Sequence, residues 1–561
     1  MKKKSIVQKI LAANQVLLKD WLAMKPYDSP VHNYDVFYLK QCQVVYGYFI
    51  DNGFLFEKWE LSRPQIKELS CQIVSYFEDY IVEIGIWRTF IETNKELYGY
   101  CLPFYDLSEY DETYINVEDI AFLIWHYVTK YSEEEYIINP DYEVIMALSE
   151  TIFDLFENVM EESPAIDLYA NIFTIKEDEN YFVFKSKMKW FSTESYLIGV
   201  DLGKRYEKLK GELAEEVRKS KMGAQQFNII LYSLIESYLY QKRSSFSALN
   251  APEWFAKIAK CSDTRRQEII DLTYWVDGKF LIKERQDRYF VLEHLLTKTQ
   301  YKARTDSFQK NKNMLPSETM AYNMHLIRWQ EEYLLSGMMY GEEITEKDIK
   351  RYRTEQLKTP WILSEASLKI MRDSTAEMRE AFLAYFNSPL VVFDTSAQLE
   401  KANMDYLDYY RNIMIAKNEG VTKGFVKEDI QKYREKYGKA EGDFEMQLKK
   451  EGFNRSVGLF FIENVGTYVC NEIKETIHDL RAYSLNVQER ADLFVSFANG
   501  YIPSVCTYML EQYGDKNLKY PTGDNSVDVV KHLPFFWRMN SPEEFDRVYP
   551  MMMLIDKDSL D

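Results

Sequence analysis

The sequence predicts a mainly α protein of several helical subdomains, with a small antiparallel β insert near residues 273–304. Three observations lead to that class. Only 21 glycines and 15 prolines occur in 561 residues, too few sharp-turn formers for a many-stranded β protein. Helix-start chemistry, a Ser, Thr or Asn followed by a Glu or Gln three residues on, recurs along the chain. Apolar residues then repeat at helical spacing behind several of those starts.

Taken in order, the first 24 residues begin with three lysines like a secretory leader. Gln8, Lys9, Asn14, Gln15, Lys19 and Asp20 interrupt any apolar run, and Ile6, Ile10, Val16, Leu17 and Trp21 predict an amphipathic helix. Ser62-Arg-Pro-Gln65 is a capping box. The stretch Tyr76 to Tyr131 is dense in aromatics, which bury more area per residue than other side chains and so organise a core. Within it Asn116, with Glu118 and Asp119 behind it, predicts a helix start, and Ile120, Ile124 and Val128 form its stripe. Phe122 and Trp125 widen that stripe until most of the helix is apolar, which predicts burial on most sides.

Residues 172–197 break the rhythm and suggest a short hairpin or an irregular crossing. Helices are expected over 203–219 and 225–241. Thr273 to Arg304 reads as strands, with Asp277-Gly278 as a hairpin turn and Phe280–Ile282 paired with Tyr289–Leu292. Ser374 with Glu377, Thr395 with Gln398, and Ser541 with Glu544 read as further helix starts. The length exceeds what one core holds. The expected regions are 1–165, aromatic-rich and helical; 166–310, helical with the β insert; 311–440, helical; and 441–561, C-terminal and helical.

Several function classes lose support from composition. A net charge of −19 repels phosphate backbones, which argues against nucleic acid unless basic residues segregate, the best local run being Lys298 to Lys312. No apolar run reaches the ~20 residues a membrane span needs. Six cysteines without a Cys-x-x-Cys pair fit buried thiols in a reducing compartment, so a cytoplasmic location is expected. The histidines are scattered. Glu475-Thr-Ile-His478 lacks the second such pair that a di-iron bundle needs, so no metal and no cofactor are predicted. Gly199-Val-Asp-Leu-Gly203-Lys204-Arg205 is one residue short of a phosphate loop and reads as a helix end followed by a new start. Asp394-Thr-Ser396 lacks the glycine of an aspartic protease and the second aspartate of a phosphatase.

One segment keeps a candidate site. Tyr105, Asp106, Tyr110 and Tyr114 mix hydroxyls with acids in a loop, and Asp119 and His126 follow two helical turns apart. A buried histidine near a carboxylate can act as a general base, or can simply be a hydrogen-bonded core residue. The leading functional reading is a non-catalytic helical protein binding a protein partner or a small ligand. The alternative is an enzyme with its site near 101–127.

Cys101-Leu-Pro-Phe-Tyr-Asp106, Tyr114-Ile-Asn-Val-Glu-Asp-Ile120, Trp125-His-Tyr127, Ser388-Pro-Leu-Val-Val-Phe-Asp394 and Val457-Gly-Leu-Phe-Phe-Ile-Glu-Asn464 together carry a likeness. With them the chain resembles a domain-of-unknown-function family of large cytoplasmic proteins from Bacteroidetes-type bacteria. The resemblance implies no activity, cofactor or catalytic residue.

Overall fold

The computed structural model describes residues 15–26, 32–131, 140, 142–219, 224–273, 275–356, 365–417, 455–463, 466–481, 497, 501–513, 519–522, 525–540 and 542. The chain is mainly α with β inserts, as its glycine and proline content predicts. It divides into two units, residues 1–353 with 538–543, and residues 354–537 with 544–561. The helix expected through Ile6 and Ile10, and the start at Ser541–Glu544, lie outside the described residues.

The first unit opens with α1 (Leu18–Leu22), α2 (Asn33–Asn52), α3 (Phe54–Glu57), α4 (Arg63–Ile81), α5 (Ile86–Tyr98), α6 (Val117–Tyr131) and α7 (Glu143–Glu157). α4 starts at the expected box, with Ser62 N–H donating to Gln65 Oε1 at 2.8 Å. α6 is buried along ten consecutive residues from Asp119 to Val128, as its widened stripe predicts. Asn116 precedes α6, but its side chain turns back: Nδ2 donates to the carbonyls of Asp111 and Tyr114. It staples the loop instead of capping the helix.

α8 (Leu168–Phe173) and α9 (Tyr181–Thr193) occupy the stretch expected as a hairpin; only a single bridge, Thr174 to Lys260, is β-like. Trp190 and Phe191 on α9 and Phe173 on α8 pack together, and that aromatic cluster favours helices over a polar hairpin. α10 (Ile198–Lys219) and α11 (Ala224–Tyr240) follow, then α12 (Ala251–Ile258) and α13 (Asp263–Asp271). Gly199 and Gly203 let α10 approach the end of α9: an added Cβ would sit 2.4 Å from Glu194 N and 2.7 Å from Thr193 O. Close helix contact, not phosphate, explains that glycine pair.

The β insert is larger than expected. β1 (Val276–Arg285), β2 (Tyr289–His294), β3 (Gln300–Arg304), β4 (Met320–Trp329) and β5 (Glu332–Glu343) close a barrel in the order β1-β2-β3-β5-β4. β1 pairs antiparallel with both β2 and β4, while β3 meets β5 in parallel. This is the strand order of a five-stranded Greek-key barrel of the OB type. Ile282 faces Leu292 in the expected pairing, but Asp277-Gly278 lies inside β1 and the chain turns at 286–288. Gly278 is required there because a Cβ would meet His294 Nε2 at 2.2 Å. Residues 320–343, expected to be helical, are β4 and β5. Phe280, Ile282, Phe290, Leu292, Met324 and Leu326 fill the barrel. α14 (Glu346–Gln356) sets Ile349 and Tyr352 against Leu281, Leu295 and Ala321 at one side of it.

The second unit holds α15 (Glu365–Phe386), β6 (Leu390–Phe393), α16 (Ser396–Lys417), β7 (Val457–Ile462), β8 (Gly466–Asn471), α17 (Ile473–Arg481) and α18 (Pro503–Tyr513). β7 is the centre of an antiparallel sheet, β6-β7-β8, and is buried along its whole length. Val457, Leu459 and Phe461 pack on Phe382 and Tyr406 of α15 and α16, while Phe460 on the other face meets Tyr508 of α18. A hairpin, β9 (Lys519–Thr522) with β10 (Asn525–Asp528), adds further β structure to a region expected to be helical. Gln398 N–H donates to Thr395 Oγ1 at 3.3 Å and starts α16 as expected. Ser374 lies in the interior of α15 and starts nothing.

Candidate functional site

The predicted segment is built around Asp119. Its carboxylate is fully buried and accepts from Tyr76 Oη at 2.5 Å, Tyr110 Oη at 2.8 Å and Asn116 Nδ2 at 3.3 Å. Burial outweighs those donors and pushes the carboxyl up to about 7. Tyr110 and Asp119 are thus brought together, with Tyr76 a partner that sequence reasoning missed. The other candidates make different contacts. Tyr105 Oη donates to the Pro140 carbonyl at 3.2 Å, and exposed Asp106 accepts from Ser108 N–H at 3.1 Å in a local turn. Tyr114 packs edge-on against Tyr80, with ring centroids 5.7 Å apart. His126 is buried on the Phe246 ring at 4.0 Å, and burial beside Lys130 lowers it to about 3.

Asp119 is one of several buried carboxylates in this helical part. Glu78 takes Lys25 and Tyr34, with Tyr169 at 3.2 Å. Asp79 accepts the Gly85 and Trp87 amides, both at 2.7 Å, and so caps α5 from the end of α4. Asp201 is bound by Lys130 at 2.9 Å, Arg205 at 3.4 Å and the Ser245 amide at 2.8 Å, and the two cations hold it well below the usual carboxylate range despite burial. These groups satisfy one another inside the protein.

A wide concavity lies elsewhere. A cleft of about 1240 Å³ is walled by α1, α4, α9, α10 and α11. Its apolar lining includes Met24, Cys71, Val200, Tyr206, Leu231 and Ile235. Its cations are Lys19, Arg63, Lys67, Lys189 and Lys204, against the carboxylates Asp20, Glu68, Glu194 and Glu207. Asp20 accepts the Leu17 amide, Glu68 pairs with Lys204 at 2.8 Å, and Glu207 pairs with Lys210. Lys204 also sits 3.6 Å over the Tyr131 ring, and burial lowers its pKa. Lys67 is lowered as well, by burial first and then by the neighbouring charges of Lys19 and Arg63. The sequence did carry a signal for this wall. Arg63 and Lys67 occupy the first turn and a half of α4, which contains no acid, although helix starts favour carboxylates.

Two other arrangements explain themselves structurally. Ser233 Oγ lies 3.0 Å from His325 Nε2, whose Nδ1 is 2.9 Å from Asp277 Oδ1. The order matches nucleophile, base and orienting acid. Ser233, however, sits in mid-α11, where backbone amides are committed to helical bonds and supply no oxyanion donors, and the Asp277 side chain is 68% exposed. The three groups join α11 to the barrel. On β3, Lys302 stands opposite Val291 and Arg304 opposite Tyr289, and Asp306 and Glu332 pair with Arg304, so these cations do not form a basic track. Among the described residues no helix is long and apolar enough to cross a membrane.

No curated protein and no solved structure matches the chain. Residues 15–287 match the family model described as "Protein of unknown function (DUF3843)", and this stretch, which contains the whole cleft and the Asp119 cluster, is where the chain is similar to that family.

Proposed function

We propose that the first unit is a ligand-binding domain, that its site is the cleft between α1, α4, α9, α10 and α11, and that it binds a small organic molecule without transforming it. One observation carries the reading: a concavity of about 1240 Å³, large enough for a drug-sized molecule, combines apolar walls with a few placed charges. The buried carboxylates Asp79, Asp119 and Asp201 support the non-catalytic part, because they are held by protein partners and do not line the cleft. The test is a small-molecule screen by native mass spectrometry on the full chain, repeated with Leu231→Trp and Ile235→Trp, which fill the cleft from α11. Loss of the bound species in both variants at an unchanged unfolding midpoint is the expected result. Retention in both would reject the cleft.

A second reading, an enzyme acting near 101–127, is favoured by the Asp119 carboxyl standing at about 7, within general acid–base range, beside half-buried Tyr110. Its test is chemical modification: a carbodiimide labelling Asp119 in the native protein supports access of a substrate, and labelling only after unfolding refutes it.

A further inference from the structure

The charged side chains on the cleft wall are answered by the protein or by solvent. Lys204 pairs with Glu68 at 2.8 Å and sits 3.6 Å over the Tyr131 ring. Tyr127 Oη bridges that pair, accepting from Lys204 at 3.2 Å and donating to Glu68 at 3.0 Å. Asp20 accepts the Leu17 amide at 2.8 Å, and its charge favours the neighbouring Lys67 ammonium. Lys19, Arg63, Lys189, Glu194 and Glu207 are exposed and stand in solvent. Much of the remaining wall is apolar, through Met24, Cys71, Val200, Leu231 and Ile235. Val200, Leu231 and Ile235 are only half-buried, so apolar area there is still open to be covered. An ion brought onto that surface would lose hydration and would have to take its counter-charge from an existing pair.

We infer, resting on the cleft being the binding site, that its ligand is an uncharged lipophile, an apolar body carrying at most a neutral polar group such as a hydroxyl. The body lies over Met24, Val200, Leu231 and Ile235. The Lys204–Glu68 pair rejects ions of either sign, because an anion competes with Glu68 for Lys204 and a cation competes with Lys204 for Glu68. Specificity here comes from what the paired charges refuse, and affinity from the apolar wall.

Fluorescence titration of the full chain tests this with phenylnaphthylamine, which is neutral, and anilinonaphthalene sulfonate, a similar ring system carrying an anion. Dodecanol, laurate and dodecyltrimethylammonium, the ionic chains below their micelle concentrations, then compete for the bound probe. The neutral probe and dodecanol should each bind at least about tenfold more tightly than their charged counterparts, since an ion gives up hydration without gaining a partner. Leu231→Trp should abolish that binding at an unchanged circular dichroism spectrum. Glu68→Gln removes the counter-charge of Lys204, so it should raise laurate affinity at least about tenfold and leave dodecanol unchanged. The competition in the unaltered chain decides the matter if Glu68→Gln does not fold. Laurate or the ammonium binding as tightly as dodecanol, with both lost in Leu231→Trp, would overturn the neutral class while leaving the cleft as the site. Laurate unmoved by Glu68→Gln would overturn the pair as the cause of rejection. If no probe binds, but the species found in the native-state screen is lost in Leu231→Trp and Ile235→Trp, the lipophile falls and the cleft stands. If that screen is also unaffected by the two variants, both the inference and the cleft reading fall.

Discussion

The helical part of the first unit and its β-barrel are stabilised in opposite ways. The barrel interior is mostly apolar, holding Phe280, Ile282, Phe290, Leu292, Met324 and Leu326, with the buried imidazole of His294 packed edge-on against Phe280. The helical part buries Glu78, Asp79, Asp119 and Asp201, with Lys25 and His126, at 4% exposure or less. An apolar core tolerates loss of volume gradually, whereas a buried ion network is sensitive to the loss of any single partner. The contrast teaches where function is free to evolve. The cleft borders the ion-rich helices, where side chains are already fixed in direction by hydrogen bonds.

The largest expected effect breaks the network at its most enclosed pair. Lys25 and Glu78 have side chains 1% exposed, and Tyr34 and Tyr169 also donate to the glutamate. Glu78→Ala leaves an ammonium buried without a counter-charge and should cost about 3–5 kcal/mol, read as the urea midpoint. Replacing both members, Lys25→Met with Glu78→Leu, should cost much less, because the desolvation penalty leaves with the charges. If the single and double variants cost the same, the helical core is not governed by charge and the contrast with the barrel fails.

A smaller effect separates the two regions by pH. Asp119 stands at about 7 in the folded state against an ordinary 3.8. Between those values the folded chain holds a proton that the unfolded chain releases. Its contribution is therefore full below pH 4 and is lost as pH rises towards 7. Asp119→Asn cannot ionise, so its stability relative to the parent should improve by about 2 kcal/mol between pH 5 and pH 7. His126 works the other way: lowered to about 3, it costs stability as pH falls below 6.5, and this cancels in the comparison because both chains carry it. Denaturant midpoints at the two pH values check the sign. A parent and variant that run parallel would show that Asp119 stays ionised throughout.

How much of this was legible depended on whether the cause was local. Ser62 and Gln65 met as written because a capping box needs only four residues. The burial of α6 followed from Ile120, Ile124 and Val128, since periodicity reports a face directly. β4 and β5 were hidden because their turn uses Gln330 and Glu331, both at positive φ, where a two-residue hairpin ordinarily shows Asn-Gly. Asp277-Gly278 misled for the converse reason: the glycine answers His294 across the barrel, not a turn. Asp119 and Tyr110, nine residues apart, were legible as one neighbourhood, but Tyr76 on another helix was not. The cleft was least legible, because its cations come from four helices and meet only in the fold.

The smallest effect tests the dry half of the comparison. Ile282 lies in the middle of β1, 1% exposed, paired with Leu292 and packed among apolar neighbours. Ile282→Val deletes one methylene from that interior and should cost about 0.5–1.5 kcal/mol through lost transfer energy and a residual gap. The deleted methylene carries no charge and the substitution leaves buried His294 in place in both chains, so the cost should be the same at pH 5 and pH 7, unlike that of Asp119→Asn. The matching measurement is the same pair of urea titrations. A cost that changes with pH by more than the fitting error would mean that barrel and helices unfold as one electrostatic body. An invariant cost would assign the pH response of the unit to the helical ion network that borders the cleft.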